Sequence, residues 1–159
     1  VVSESRPPEI RRLKPDDWAL FRDVRLAALG DAPYAFAPTV EREAGFDQWQ
    51  WRDRLAGGTW FAAVDGGRGV GMVGGFGARA GTAYRVDLVG LWVRDGARGA
   101  GTGGRLVRAL LDWARGAGAD EVLLWVADDN AGARRFYRRF GFTGTGVRQP
   151  GEEQLHLAL

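Results

Sequence analysis

The sequence predicts an α/β fold with an antiparallel first half and a β-α-β second half. Three observations carry this. The hydrophobic period changes from helical spacing to strand spacing near Thr59. A strong apolar strand over 84–93 runs into a glycine-rich turn and a helical segment. A second apolar run, 121–126, leads into another helical segment and then into short strands.

Glu9 to Leu13 reads as a first strand. Pro15-Asp16-Asp17 is a helix start, and Trp18, Phe21, Val24, Leu26 and Leu29 follow at helical spacing until Gly30-Asp31-Ala32-Pro33 ends the helix. A second helical stretch is expected over 39–55. Thr59 to Val64 and Gly69 to Ala78 read as a hairpin turning at Asp65-Gly66-Gly67. Gly74-Gly75 in the return strand suggests a bulge or a close approach by a ligand. Arg79 to Ala83 is a turn before the long strand 84–93. A helix is expected from Gly103 to Arg115, a buried strand from Glu121 to Val126, and a helix from Asn130 to Phe140. Phe142 to Thr145 and 154–159 close the chain as strands, giving the order β-α-α-β-β-β-α-β-α-β-β.

The bulk properties narrow the function. At 159 residues with 45% apolar content and seven tryptophans, the chain is expected to form one folded domain, 9–159, behind a loose leader, 1–8. The absence of cysteine excludes a disulfide framework and a thiol nucleophile. One histidine makes a His-based metal site or a Ser-His triad a poor fit, and no metal is expected. No apolar run approaches the length of a membrane span, and Val1 does not open a signal-peptide pattern, so a cytoplasmic protein is expected. The net charge is only +2. The densest basic cluster, Arg134, Arg135, Arg138 and Arg139, reads either as a solvated helix face or as help in holding phosphates. It lacks the aromatic platform of a nucleic-acid site, and no nucleic-acid partner is expected.

The stretch Arg98-Gly99-Ala100-Gly101-Thr102-Gly103-Gly104 carries the most information. A glycine-rich turn entering a helix offers free backbone N–H groups at the positive end of the helix dipole, a ready site for a phosphate. The turn matches the dinucleotide pattern G-x-G-x-x-G, but Arg94 to Arg98 intervene between strand and first glycine. About ninety residues precede the turn, where a dinucleotide motif normally opens its domain. No Gly-Lys-Ser/Thr follows, so a P-loop is excluded.

From Arg98 the same turn reads R-x-x-G-x-G, with Gly101 and Gly103. Downstream, Asn130-Ala131-Gly132-Ala133-Arg134-Arg135-Phe136-Tyr137-Arg138-Arg139-Phe140-Gly141-Phe142 reads N-x-x-A-x-x-x-Y-x-x-x-G-F. Together, in this order and spacing, the two motifs resemble the GNAT N-acetyltransferase superfamily. Weaker similarity to a bacterial branch extends to Arg25-Leu26-Ala27-Ala28-Leu29 and Ala32-Pro33-Tyr34-Ala35-Phe36. The resemblance implies a GNAT fold, with a mixed sheet of six to seven strands and about four helices. It implies acetyl transfer from acetyl-CoA to a primary amine of a small molecule or peptide, by direct attack in a ternary complex. A non-catalytic acyl-CoA-binding or sensing domain is the alternative. Many relatives pair, so a homodimer is an expectation of the same kind.

The resemblance also implies roles. The N–H groups of Arg98, Gly99, Ala100, Gly101, Thr102, Gly103 and Gly104 would hold the pyrophosphate. Leu91, Trp92 and Val93 lie where the fourth strand would splay from the fifth and align the pantetheine arm. Asn130 would contact that arm, or simply cap its helix. Tyr137 is the candidate general acid, since a phenol can donate to a departing thiolate; a core aromatic is the other reading. Asp87 is the candidate base, working through a water, or else a structural acid. Arg25, Tyr34, Phe36 and Glu41 are the expected acceptor-binding residues, with Glu43 in reserve. Asp95 departs from the family pattern, where many members carry a proline.

Overall fold

A computed structural model of the chain describes residues 6–31 and 40–159. Tyr34, Phe36 and the first part of the expected leader lie outside the described residues. Seven strands form one mixed sheet in the order β1-β2-β3-β4-β5-β7-β6. The strands are β1 (Glu9–Arg12), β2 (Thr59–Asp65), β3 (Arg68–Ala80), β4 (Ala83–Val93), β5 (Glu121–Ala127), β6 (Thr143–Gln149) and β7 (Glu152–Ala158). The helices are α1 (Trp18–Asp31), α2 (Gln48–Gly57), α3 (Thr102–Gly116) and α4 (Ala131–Arg138), with a further helical stretch at 40–44. The fold class expected from the sequence is the one observed. The chain divides into two compact units, one of Val1–Gly74 and Gly90–Leu110, the other of Gly75–Val89 and Leu111–Leu159.

In the first unit, Pro8 is tied to α3 by Arg105, whose Nη1 donates to the Pro8 carbonyl at 2.6 Å. Strand β1 pairs antiparallel with β2, Glu9 opposite Val64 and Arg12 opposite Phe61. Helix α1 buries Phe21, Val24, Ala28 and Leu29, one stripe at helical spacing. The expected single helix over 39–55 is interrupted. The backbone leaves the helix at Gly45, and Asp47 restarts it as an N-cap. Asp47 Oδ1 accepts from the Gln50 N–H at 3.2 Å, and Gln50 Oε1 accepts from the Asp47 N–H at 3.0 Å, a reciprocal capping box. The core centres on Phe21, whose ring lies 5.7 Å from Trp51 and 4.8 Å from Trp60. Gly74 exists to admit Trp60. A Cβ there would stand 2.6 Å from the indole ring, so the Gly74-Gly75 signal marks packing.

In the second unit, β4 and β5 run parallel with Arg85 opposite Glu121 and Asp87 opposite Leu123. Strand β4 then continues to Val93 and β5 to Ala127. Strand β7 pairs antiparallel with β5, and β6 with β7. The sequence reads 121–126 as a buried strand, and the structure buries one face of it: Val122, Leu124 and Val126 are buried while Trp125 is exposed. The reason is a polar face. Arg85 pairs with Glu121 at 2.7 Å, and Glu121 meets His156 Nδ1 at 3.0 Å, so this side of the strands is solvated. His156 is therefore a half-exposed strand residue with an acidic neighbour.

Gly74→Ala forces a methyl group against a buried indole. Overpacking of this kind costs about 1–3 kcal/mol, or roughly 3–10 °C of Tm for a chain of this length. Thermal unfolding checks it, and an unchanged Tm would show that Trp60 does not pack on Gly74.

Candidate active site

The glycine turn is built as an open set of donors. Strand β4 ends at Val93, a short 3-10 turn covers Asp95–Ala97, and α3 begins at Thr102. Gly99 has φ of 84° and Gly101 of 78°, the left-handed region that other residues enter only at a cost. Nothing stands within 4 Å of where a Cβ would lie on either. The first helical bond is from Arg105 N–H to the Gly101 carbonyl at 3.1 Å. The N–H groups of Thr102, Gly103 and Gly104 thus precede any intrahelical acceptor. Thr102 is 2% exposed, and its Oγ1 is buried with no hydrogen-bond partner among the described residues. An unpaired buried hydroxyl costs about 1–3 kcal/mol, which an accepting ligand would relieve. These residues fit a phosphate-bearing group.

Arg98 anchors the turn. Its Nε donates to the Val93 carbonyl at 2.8 Å, its Nη2 to Asp31 Oδ2 at 2.7 Å, and its Nη1 to Asp95 Oδ1 at 3.4 Å. The guanidinium is committed to the fold, and Asp95 sends a 90% exposed side chain to solvent. Asp31 also accepts from Trp92 Nε1 at 3.0 Å. The bond from Trp92, then that from Arg98, then the charges of Arg98 and Arg94 hold the Asp31 carboxyl below its ordinary 3.8. Leu91, Trp92 and Val93 are half-buried on the last part of β4.

Gly90 sits at the start of that segment with φ of +64° inside a strand. A Cβ there would lie 3.5 Å from Trp60, 3.6 Å from Met72 and 3.7 Å from Arg25 Nη1. Sequence reasoning missed it, although a lone glycine in an apolar strand is the signal. Arg25 is held by Glu43, with Nε to Oε1 at 3.1 Å and Nη2 to Oε2 at 3.4 Å. Glu43 is fully buried and also accepts from Arg54 Nη1. The Arg54 guanidinium lies over Phe46, 4.9 Å from the ring centre. Glu43 is thus engaged by two arginines, while Glu41 is exposed.

In the second unit, Asn130 caps α4, its Oδ1 accepting from the Ala133 N–H at 3.0 Å. Both sequence readings of Asn130 remain compatible with this, since the cap leaves its amide N–H₂ free of that bond. Tyr137 lies on the same helix, 8% exposed, between Phe136 and Phe142. Burial pushes its phenol up to about 12. Asp87 stands exposed on β4, and partial loss of water raises its carboxyl above 3.8. Of the arginine cluster, Arg134 meets Glu153 at 3.7 Å, and Arg135, Arg138 and Arg139 are exposed.

Residues 21–142 match the acetyltransferase (GNAT) family. The chain belongs to the GNAT acetyltransferase family. Membership supports acyltransferase activity with an acyl-CoA donor. No curated protein matches the chain in sequence. Among solved structures it is similar to the PaiA N-acetyltransferase of Thermoplasma acidophilum in complex with coenzyme A, at 14% identity and TM-score 0.76, with 95% of this chain and 98% of that one covered. It is also similar to a ribosomal-protein-alanine N-acetyltransferase from Brucella melitensis, at 20% identity and TM-score 0.71, covering 95% and 99%. A third is an aminoglycoside acetyltransferase from an uncultured soil metagenomic sample, at 21% identity and TM-score 0.69, covering 89% and 91%. At these identities the likeness establishes the GNAT fold. No helix among the described residues is long and apolar enough to cross a membrane.

The Asp31 tie has a defined pH range. A lowered folded-state pKa means that its contribution is present above the unfolded value and is lost as pH falls through the folded one. A carboxyl NMR titration should therefore place the Asp31 midpoint below 3.8. A midpoint at or above that value would mean that the bonds from Trp92 and Arg98 do not form in solution.

Proposed function

We propose that this GNAT protein transfers the acetyl group of acetyl-CoA to a primary amine by direct attack in a ternary complex. The observation that carries the reading is the glycine turn, with its uncommitted N–H groups and the unpaired Thr102 hydroxyl, in a chain of this family. In this reading the donors of Gly99 to Gly104 hold the pyrophosphate, while Arg98 contributes by fixing the turn rather than by direct charge. The backbone of Leu91, Trp92 and Val93 aligns the pantetheine arm, and the Asn130 amide adds a donor.

The chemistry assigns the titrating residues. An ammonium is no nucleophile, so the amine first gives up a proton, through a water, to the Asp87 carboxylate. Desolvation makes that carboxylate a stronger base than an ordinary aspartate. The amine nitrogen then bonds to the thioester carbon, and the carbon–sulfur bond breaks. Sulfur leaves with both electrons as a thiolate, near 8.5 for an ordinary thiol, and the second proton of the attacking nitrogen passes through water to that sulfur, leaving a neutral amide and a thiol. A phenol at about 12 does not surrender its proton outright to such a group, but it donates a hydrogen bond to the developing charge. Tyr137 is that donor.

Calorimetric titration with acetyl-CoA, with NAD as control, tests the donor. Micromolar binding of acetyl-CoA alone is expected, and no binding would remove the reading. Turnover of an amine panel then separates an enzyme from a binding domain. Tyr137→Phe should lower kcat by about 10–10³ with little change in acetyl-CoA affinity; an unchanged kcat on the best acceptor takes Tyr137 out of the mechanism.

Because Tyr137 stays protonated well past its ordinary range, wild-type kcat/KM should rise as the amine deprotonates and then hold level to about pH 10. A falling limb near pH 9 that disappears in Tyr137→Phe would contradict the raised phenol.

A further inference from the structure

The group around Glu43 is unusual in its charge. One fully buried carboxylate is flanked by two guanidiniums, so the cluster carries an excess positive charge. Arg54 disperses its share over Phe46 and Trp51, at 4.9 and 5.8 Å from the ring centres. Arg25 has no such stacking among the described residues. Glu43 takes its side edge, Nε and Nη2, and its Nη1 makes no bond among the described residues. The side chain is 17% exposed, and Nη1 lies 3.7 Å from the position a Cβ would take on Gly90. Gly90 is solvent-exposed, so the absent side chain leaves a notch. Beneath it lie Trp60 and Met72, both buried in the core, and beside it the free end of Arg25.

A guanidinium whose side edge is fixed by one carboxylate still presents its end, Nη1 and Nη2, as a planar fork. A second carboxylate matches that fork in two parallel bonds. The excess charge of the cluster favours an anion there and opposes a cation, and the surrounding low dielectric strengthens both effects.

We propose that Arg25, oriented by Glu43, is the residue that selects the acceptor. The acceptor's class is an amine that carries a carboxylate, as an α-amino acid does, its carboxylate on the Arg25 fork. This rests on the acetyl-transfer reading above, and it disfavours polycationic acceptors.

The test uses methionine, leucine and phenylalanine, each as free acid and as amide, with spermidine as the polycation. Each is titrated calorimetrically into protein already saturated with coenzyme A, and each is assayed for coenzyme A release from acetyl-CoA. At least one acid should bind and react about 10–100-fold better, in kcat/KM, than its own amide, as expected for a charged hydrogen-bonded pair. Arg25→Gln should bring that ratio close to one, and Arg25→Lys should keep part of it. Melting curves verify that both variants fold; if Arg25→Gln does not, the wild-type ratio and the lysine variant decide. Preference for an amide or for spermidine overturns the inference and leaves acetyl transfer standing. So does failure of all three acids to bind a protein that binds acetyl-CoA. A protein that binds neither acetyl-CoA nor any acid loses both.

Discussion

Arg98 is the fixed point of the glycine turn. A loop meant to present bare N–H groups cannot satisfy those groups itself, and a loop without internal bonds is entropically costly to hold. Arg98 resolves this by bonding outward from the loop, to the Val93 carbonyl behind it, to Asp31 at the end of α1 and to Asp95. Trp92 shares the Asp31 carboxylate. The end of β4, the end of α1 and the entry of α3 are thus fixed around one carboxylate and one guanidinium. Gly99 and Gly101 are left to take the left-handed turns that aim the donors.

Glu43 plays a comparable part deeper in the same unit. A lone buried carboxylate would be strongly destabilising, and removing one partner of a buried pair typically costs about 3–5 kcal/mol. Two guanidiniums remove that problem and create another, an unbalanced positive charge. The stacking of Arg54 over aromatic rings is one answer, because ring faces are negative. The fixed orientation of Arg25 beside Gly90 is the other consequence. A surface arginine would sweep many rotamers; this one is pinned by Glu43 along its side edge.

Much of the fold was legible in the sequence because its signals are local. The hairpin turn at Gly66-Gly67, the helical stripe of Phe21, Val24 and Leu29, and the glycine turn each follow from residues close in the chain. The break at Gly45–Asp47 was also locally encoded, since Asp47 and Gln50 form a capping box, but the surrounding helical composition obscured it. What could not be read were pairings across long separations. Arg98 meets Asp31, Arg25 meets Glu43, and Glu121 meets His156, none of them neighbours in sequence. The one-sided burial of β5 has the same origin, because its polar face is set by Arg85 and His156 on other strands. For the site, the motif positions were legible. The side-chain duty of Arg98 was not, since a basic residue beside a phosphate turn looks like a ligand until its acceptors are seen.

Asp87 and Tyr137 illustrate how one physical cause can separate two roles. Loss of water raises both groups, because it disfavours the charged form of each. For a carboxyl that starts at 3.8, an upward shift increases its affinity for a proton. For a phenol that starts at 10.0, the same shift moves ionisation out of reach. The carboxylate is therefore the group able to accept a proton from an amine, and the phenol is the group always able to donate a hydrogen bond. In the proposed reaction, groups whose environments separate their ionisation in this way set the direction of proton flow. That direction runs from the amine to Asp87, with Tyr137 as a permanent hydrogen-bond donor to the sulfur.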